Sequence, residues 1–227
     1  GKNPVGKAIS EKAAWNLYYV LTLSGVACGA LLSWLAGKYE LGLLFLIIAT
    51  SLYYYSLKYK YLTFWGNLTV ALLTAINLFI VWLFEFFILK KSPENFIQVS
   101  TYFGFLNRFV TGYAFFAFLT TLIREIIKDS QDREGDARFG CLTIPIVLGW
   151  PKTRILLASL LVLLLAAVIL VQVHLSGTYL VLTIALCLVD ILVISVLTLL
   201  FSEKPDFRKL SLLMKAVMAA GLLLFSG

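Results

Sequence analysis

Residues 155–173, ILLASLLVLLLAAVILVQV, form an apolar run without a single charged side chain. A helix on the surface of a soluble protein carries a polar face opposite its apolar one, whereas this run is apolar all round. About 20 such residues are enough to cross the hydrocarbon core of a bilayer as a helix. The run therefore predicts a transmembrane helix.

Similar runs extend outward from this one over the whole chain of 227 residues. Together they predict seven spans, at residues 13–36, 41–57, 61–84, 96–123, 155–173, 178–202 and 210–227, with Arg108, Asp190 and Lys215 as the charges inside them. The chain is 14% charged, well below the roughly 25% of soluble domains. We predict an all-α fold, a polytopic transmembrane bundle, with residues 1–227 as a single membrane domain.

The net charge of +7 does not indicate nucleic-acid binding, because the basic residues are sorted by loop. Most of the 19 lie in the N-terminal segment, at 58–60, in the loop 124–154 and at 204–209, while the opposite loops hold Lys38, Lys90 and Lys91. Short loops rich in Lys and Arg stay cytoplasmic. We therefore expect an integral protein of a bacterial or archaeal cytoplasmic membrane, with the loop 124–154 facing the cytoplasm.

That loop opens with residues 123–140, IREIIKDSQDREGDARFG, where carboxylates recur every three or four residues. The fourth span has no helix breaker before Gly135, so its helix is expected to continue through Asp132. Glu125, Asp129, Asp132 and Asp136 would then form one stripe on that helix. Like charges this close repel each other unless a cation neutralises them. Oxygen ligands without a nearby Cys or His suit Mg²⁺, which takes one or two carboxylates plus substrate phosphates. The stripe thus resembles half of a diphosphate site.

Other interpretations of the stripe remain open at this point. It is also compatible with a solvated helix end, balanced by Lys128, Arg133 and Arg138. A CDP-alcohol phosphotransferase also uses membrane aspartates, but its pattern has Gly where Arg133 stands. A secondary transporter with a carboxylate cation site is a third alternative, although transporter sites lie near the bilayer midplane rather than at the end of a span.

The segment REIIKDSQDREGDARFGCLTIPIVLG, residues 124–149, resembles the second aspartate-rich motif of the UbiA-type intramembrane prenyltransferases, KDxxDxxGD followed by Thr-(Ile/Leu)-Pro. Two weaker likenesses accompany it. NPVGKAIS, residues 3–10, is similar to the family segment after the first aspartate motif, and YSLKYKYLTFWGN, residues 55–67, resembles a family loop that carries a lysine and a Gly-Asn pair.

The resemblance implies Mg²⁺-dependent transfer of a prenyl group from a polyprenyl diphosphate to a small membrane-associated acceptor. The acceptor is either a prenyl-glycerol phosphate or an aromatic quinone precursor, and the REIIKD form slightly favours the geranylgeranylglycerol-phosphate branch. The implied residues are Asp129, Asp132 and Asp136 for the metal, Lys60, Arg124, Lys128 and Lys7 for the diphosphate, with Lys60 also catalytic, and Asn67 and Tyr55 for the pocket.

One element of the family pattern is missing. The family carries an earlier motif, Asn-x-x-x-Asp-x-x-x-Asp, and nine helices, whereas this chain has no Asp before Asp129. We expect two further helices and the first aspartate motif upstream of Gly1 in an intact protein. On this interpretation residues 1–227 alone bind metal and diphosphate poorly and do not catalyse transfer.

Overall fold

The computed structural model describes residues 9–58, 62–175 and 180–223. Within these residues the chain forms helices and no β-strand, which confirms the predicted all-α fold. The helices are α1 (Glu11–Ala36), α2 (Gly42–Leu57), α3 (Trp65–Leu89), α4 (Pro93–Ser100), α5 (Phe103–Arg138), α6 (Ile144–Val147), α7 (Gly149–Leu175), α8 (Leu180–Leu200) and α9 (Phe207–Leu223), with a 3-10 turn at Tyr39–Leu41.

Six of the described helical segments are long and apolar enough to cross a membrane. They are Glu11–Ala36, Tyr39–Leu57, Trp65–Leu89, Phe103–Arg138, Gly149–His174 and Leu182–Leu200, and they correspond to the first six predicted spans. The seventh prediction, 210–227, overlaps α9 and extends past the described residues. The chain is an integral membrane protein.

Helix α5 is the longest element and positions the acidic stripe. Its 36 residues span about 54 Å, whereas a bilayer core is about 30 Å thick, so an untilted α5 extends well beyond that core. The helix passes through Gly135, which is tolerated in a helix interior, and ends before Gly140. Gly140 has φ 68°, a left-handed conformation in which Cys141 N–H reaches the carbonyl of Asp136 at 3.0 Å.

The structure divides into two compact units, the first of Gly1–Ser56 with Ile80–Gly104 and the second of Leu57–Phe79 with Phe105–Gly227. In the first unit α1 begins at a Ser10 cap, whose hydroxyl accepts from Ala13 N–H at 3.2 Å. It ends at Gly37, which has φ 68°. Between these ends Gly29 lies directly against the ring of Phe45, where no Cβ would fit.

The second unit contains the buried core, which is drawn from α5, α7, α8 and α9 with a contribution from α3. Along α7 the fully buried leucines are Leu157, Leu161 and Leu164, a spacing of four and three that marks a single helix face. The neighbouring Leu163 and Leu170 are exposed although they are equally apolar. Helix packing, rather than polarity, therefore distinguishes the faces of this span.

The two charged residues of the fourth and sixth predicted spans, Arg108 and Asp190, differ in their surroundings. Gln172 of α7 donates a side-chain hydrogen bond to the Asp190 carboxylate of α8, so this intramembrane charge has a partner within the bundle. Arg108 of α5 is exposed on the surface of the second unit.

Candidate functional site

The acidic stripe is joined to another helix through one hydrogen bond. The Asn67 side-chain amide near the start of α3 donates to Asp129 Oδ2 on α5 at 2.8 Å. Asn67 is buried, with 9% of its surface exposed, and Asp129 is half-buried. The structure therefore places a residue predicted to line the pocket directly against a residue predicted to bind the metal.

The surroundings of Asp129 disfavour its negative charge. Asp129 lies past the predicted span 96–123, and burial raises the pKa of its carboxyl to about 6. The Asn67 hydrogen bond lowers that pKa in part, whereas the charges of Asp136 and Glu125 raise it further. A group in this environment gains from an added positive charge, because a cation offsets both the desolvation and the repulsion.

Glu125 is the carboxylate of the stripe that is already neutralised by protein. It is buried, with 7% of its surface exposed, and its carboxylate contacts the Arg124 guanidinium. The Lys128 ammonium lies 3.8 Å from the other oxygen of Glu125. Two of the four basic residues predicted to bind diphosphate, Arg124 and Lys128, thus contact Glu125 in this structure, and their role toward a diphosphate stays a prediction.

The remaining two carboxylates are more accessible. Asp132 is exposed, and Asp136, one turn further along α5, is half-buried. The charges of Asp136 and Glu125 raise the pKa of Asp129, and that of Lys128 lowers it. Asp129 and Asp136 therefore repel each other as long as no cation lies between them.

The donor set suits a hard cation such as Mg²⁺. Asp129, Asp132 and Asp136 offer carboxylate oxygens at the end of one helix, and the Asn67 amide holds the first of them. Among the described residues no three His, Cys, Asp or Glu side chains are grouped closely enough to hold a metal ion by themselves. A magnesium ion here would take one or two carboxylates and fill its remaining positions with water and phosphate oxygens, as Mg²⁺ usually does.

Three other predicted site residues remain. Tyr55 is half-buried on α2, and it belongs to the first unit whereas the stripe belongs to the second. Lys7 and Lys60 lie outside the described residues. Their predicted roles remain predictions.

Sequence reasoning did not assign a task to Glu125 beyond membership of the stripe. A signal was available, because Arg124 and Lys128 flank it in sequence and a helix places residues three or four apart side by side. The spacing did not indicate that Glu125 is buried while it pairs with both Arg124 and Lys128.

The fold and the site define an integral membrane protein of the all-α class with an aspartate-rich helix end. The UbiA prenyltransferase family matches residues 4–218, nearly the whole chain. The chain belongs to the UbiA prenyltransferase family.

Curated relatives agree with this family assignment. The digeranylgeranylglyceryl phosphate synthase of Pyrococcus horikoshii is 36% identical over 150 residues, which cover 66% of this chain and 45% of the relative. The synthase of the same name from Saccharolobus solfataricus is 35% identical over 166 residues, 70% of this chain and 50% of the relative. The synthase of that name from Methanothermobacter thermautotrophicus is 29% identical over 195 residues, which cover 83% of this chain and 62% of the relative.

The chain spans about half the length of the curated relatives it matches. No solved structure gives a significant match to it.

Proposed function

We propose that this protein transfers a prenyl group from a prenyl diphosphate to the hydroxyl of a prenyl-glycerol phosphate, with Mg²⁺ as cofactor. The observation that carries the proposal is the Asn67–Asp129 hydrogen bond at 2.8 Å, which joins two separate family motifs in one place. The relatives named digeranylgeranylglyceryl phosphate synthase support a glycerol-phosphate acceptor over an aromatic quinone precursor. Membership of the family favours prenyl transfer over a CDP-alcohol phosphotransferase or a transporter.

The reaction breaks the allylic C–O bond of the diphosphate. The bonding electron pair leaves with the diphosphate, the acceptor oxygen attacks the resulting carbocation, and the acceptor hydroxyl passes its proton to the released diphosphate. Negative charge develops on the leaving group as the bond breaks, so the site must stabilise charge there more strongly than in the ground state. When bound, Mg²⁺ supplies the Lewis-acid part of this stabilisation.

We assign three roles to the residues of the site, namely metal ligation, diphosphate binding and pocket lining. Asp129 and Asp132 are the first candidates for metal ligation and Asp136 the third. The Asn67 amide fixes one oxygen of Asp129, which keeps that carboxylate oriented before substrate arrives. Lys60, with Arg124, Lys128 and Lys7, is the basic set for the diphosphate, and Tyr55 is assigned to the pocket lining.

Water has to be kept from a carbocation, and the membrane-spanning helices offer the means. The spans carry few charges, and an apolar lining excludes water from the reacting centre. We place the acidic end of α5 on the cytoplasmic side because the basic loops predict that orientation. A prenyl diphosphate with its charged end at this rim would lie with its chain among the helices.

A transfer assay in detergent with radiolabelled geranylgeranyl diphosphate tests the proposal. The acceptors are geranylgeranylglyceryl phosphate and 4-hydroxybenzoate, each with Mg²⁺ and with EDTA. Because the chain spans about half of its relatives, the assay uses both residues 1–227 and the full-length product of its gene. We expect the full-length protein to prenylate the glycerol phosphate only with Mg²⁺. Transfer that persists in EDTA, or prenylation of the aromatic acceptor alone, would refute the proposal.

A further inference from the structure

A second cluster of charge, mostly positive, joins Arg133 of α5 to side chains of α7 and of the segment after α8. There Ser130 and Arg133 of α5, Trp150 and Arg154 of α7, and Lys204 after α8 line a cleft of about 370 Å³. Glu203 and Phe207 complete its polar and apolar walls. This volume falls in the range of small-ligand sites, roughly 300–1,000 Å³. All of these residues belong to the second unit.

The cleft carries an excess of positive charge that the protein does not neutralise. Three of its side chains are cationic, Arg133, Arg154 and Lys204, and one is anionic, Glu203. In the part of the chain that the structure describes, the ion pairs are those of Glu125 with Arg124 and Lys128 and of Lys209 with Asp206. Among the described residues, no carboxylate lies within ion-pair distance of the three cleft cations.

Arg154 is the most constrained of the three. Its guanidinium lies 5.2 Å from the centre of the Trp150 ring and 5.8 Å from that of Phe201, so two aromatic rings hold it in place. Its Nε is buried and has no hydrogen-bond partner. A buried donor without an acceptor is unfavourable, and a preorganised guanidinium is well suited to bind phosphate oxygens.

The position of Arg154 in its helix adds a second argument. It lies near the start of α7, which has no acidic residue in its first turn. The N-terminus of a helix carries a partial positive charge, which favours an anion beside the first turn of α7, where Trp150 lines the cleft. The N-terminus of α9 differs, because the Asp206 carboxylate accepts from Arg208 N–H and Lys209 N–H at 3.0 and 3.2 Å.

Two exposed apolar residues lie next to Arg154, one in sequence and one in space, and indicate where the rest of the ligand lies. Ile155, next to Arg154, is 67% exposed, and Phe201, which stacks near the same guanidinium, is 56% exposed. Both lie at the ends of membrane-spanning helices. A free phosphate ion would not contact these apolar surfaces, whereas the acyl chains of a lipid would cover them. We propose that this cleft binds the phosphate headgroup of an anionic phospholipid, with Arg154, Arg133 and Lys204 as its cationic ligands and the acyl chains along Ile155 and Phe201.

The proposal does not depend on prenyl transfer, because none of the cleft residues has a role in the proposed reaction. Native mass spectrometry of the full chain in detergent tests it, with dioleoyl phosphatidylglycerol as the probe and dioleoyl phosphatidylcholine as the neutral-headgroup comparison. We expect one phosphatidylglycerol to bind at least about tenfold more tightly than phosphatidylcholine, since the difference reflects contacts to charged groups.

Arg154→Gln and Arg133→Gln should each remove most of this preference. Arg138→Gln is the matched control, because Arg138 is exposed at the end of the same helix α5 and does not line the cleft. Inorganic phosphate at the same concentration as the lipid should not displace it. Should Arg154→Gln fail to fold, as judged by gel filtration, Arg133→Gln and Lys204→Gln decide the question. Equal binding of the two lipids, an unchanged preference in the folded cleft variants, or displacement by inorganic phosphate would each overturn the proposal.

Discussion

Replacing Asn67 with Ala removes the one described side-chain hydrogen bond that joins α3 to the acidic stripe. The lost contact is an amide donating to a carboxylate at 2.8 Å. Asn67 is buried, with 9% of its surface exposed, so water replaces the lost donor poorly. Hydrogen bonds to charged groups contribute about 1.5–3 kcal/mol. If Asp129 acts in the transition state, this loss corresponds to a decrease of roughly 10- to 100-fold in kcat/KM.

The same substitution affects the carboxyl itself. In the metal-free protein, Asn67→Ala should raise the pKa of Asp129 further above its ordinary value, because the Asn67 hydrogen bond is a contact that lowers it. A larger fraction of Asp129 is then protonated near neutral pH and unable to bind a cation. The apparent affinity for Mg²⁺ should fall together with turnover.

The assay is radiolabelled prenyl transfer by the full-length protein as a function of Mg²⁺ concentration. Asn77→Ala is the matched control, since Asn77 lies on the same helix α3 and is exposed. We expect the control to behave like the parent protein. The reasoning fails if Asn67→Ala, folded as judged by thermal unfolding, keeps the parental kcat/KM and Mg²⁺ dependence.

Three further predictions follow from the structure and the topology. Asp129→Ala should lower the rate of prenyl transfer by orders of magnitude, because it removes a candidate metal ligand. Asp190→Asn alters a hydrogen-bonded pair inside the bundle and should leave most of the activity. Equal losses in the transfer assay would contradict the metal assignment. A single cysteine at Gln131 in a cysteine-free background should react with an impermeant maleimide in inside-out vesicles only, and labelling in right-side-out vesicles would reverse the topology. Gly221→Ala should lower the free energy of unfolding by about 1–3 kcal/mol, because its Cβ would lie 2.4 Å from the Phe116 ring. Gly112→Ala is the control, since a Cβ at Gly112 has open space around it. Equal melting temperatures of the two variants would refute this packing.

The sequence determined the class of structure because a bilayer imposes a simple requirement on each span. Runs such as 155–173 need only length and the absence of charge, and both are local properties of the chain. The continuation of α5 beyond the membrane was likewise predictable, because no breaker interrupts the residues before Gly135. The end of α5 was less predictable from the sequence. The helix continues through Gly135 and ends before Gly140, which adopts a left-handed φ.

The acidic stripe is local as well, since carboxylates three and four residues apart share a helix face whatever the rest of the chain does. The sequence therefore placed Asp129, Asp132 and Asp136 together. It also proposed Asn67 for the pocket, but only by resemblance, because nothing in the spacing of residues 67 and 129 says that their helices meet.

Tertiary structure alone decided which side chains of these helices face each other. The spans are apolar on every side, so no pattern distinguishes the buried Leu161 from the exposed Leu163. Packing of α5 against α3 brings Asn67 to Asp129, and packing of α7 beside the α8–α9 connection creates the cationic cleft around Arg154. In a membrane protein the bilayer selects the spans by hydrophobicity, whereas contacts between helices depend on side-chain shape and hydrogen bonding across the chain, which no local pattern encodes.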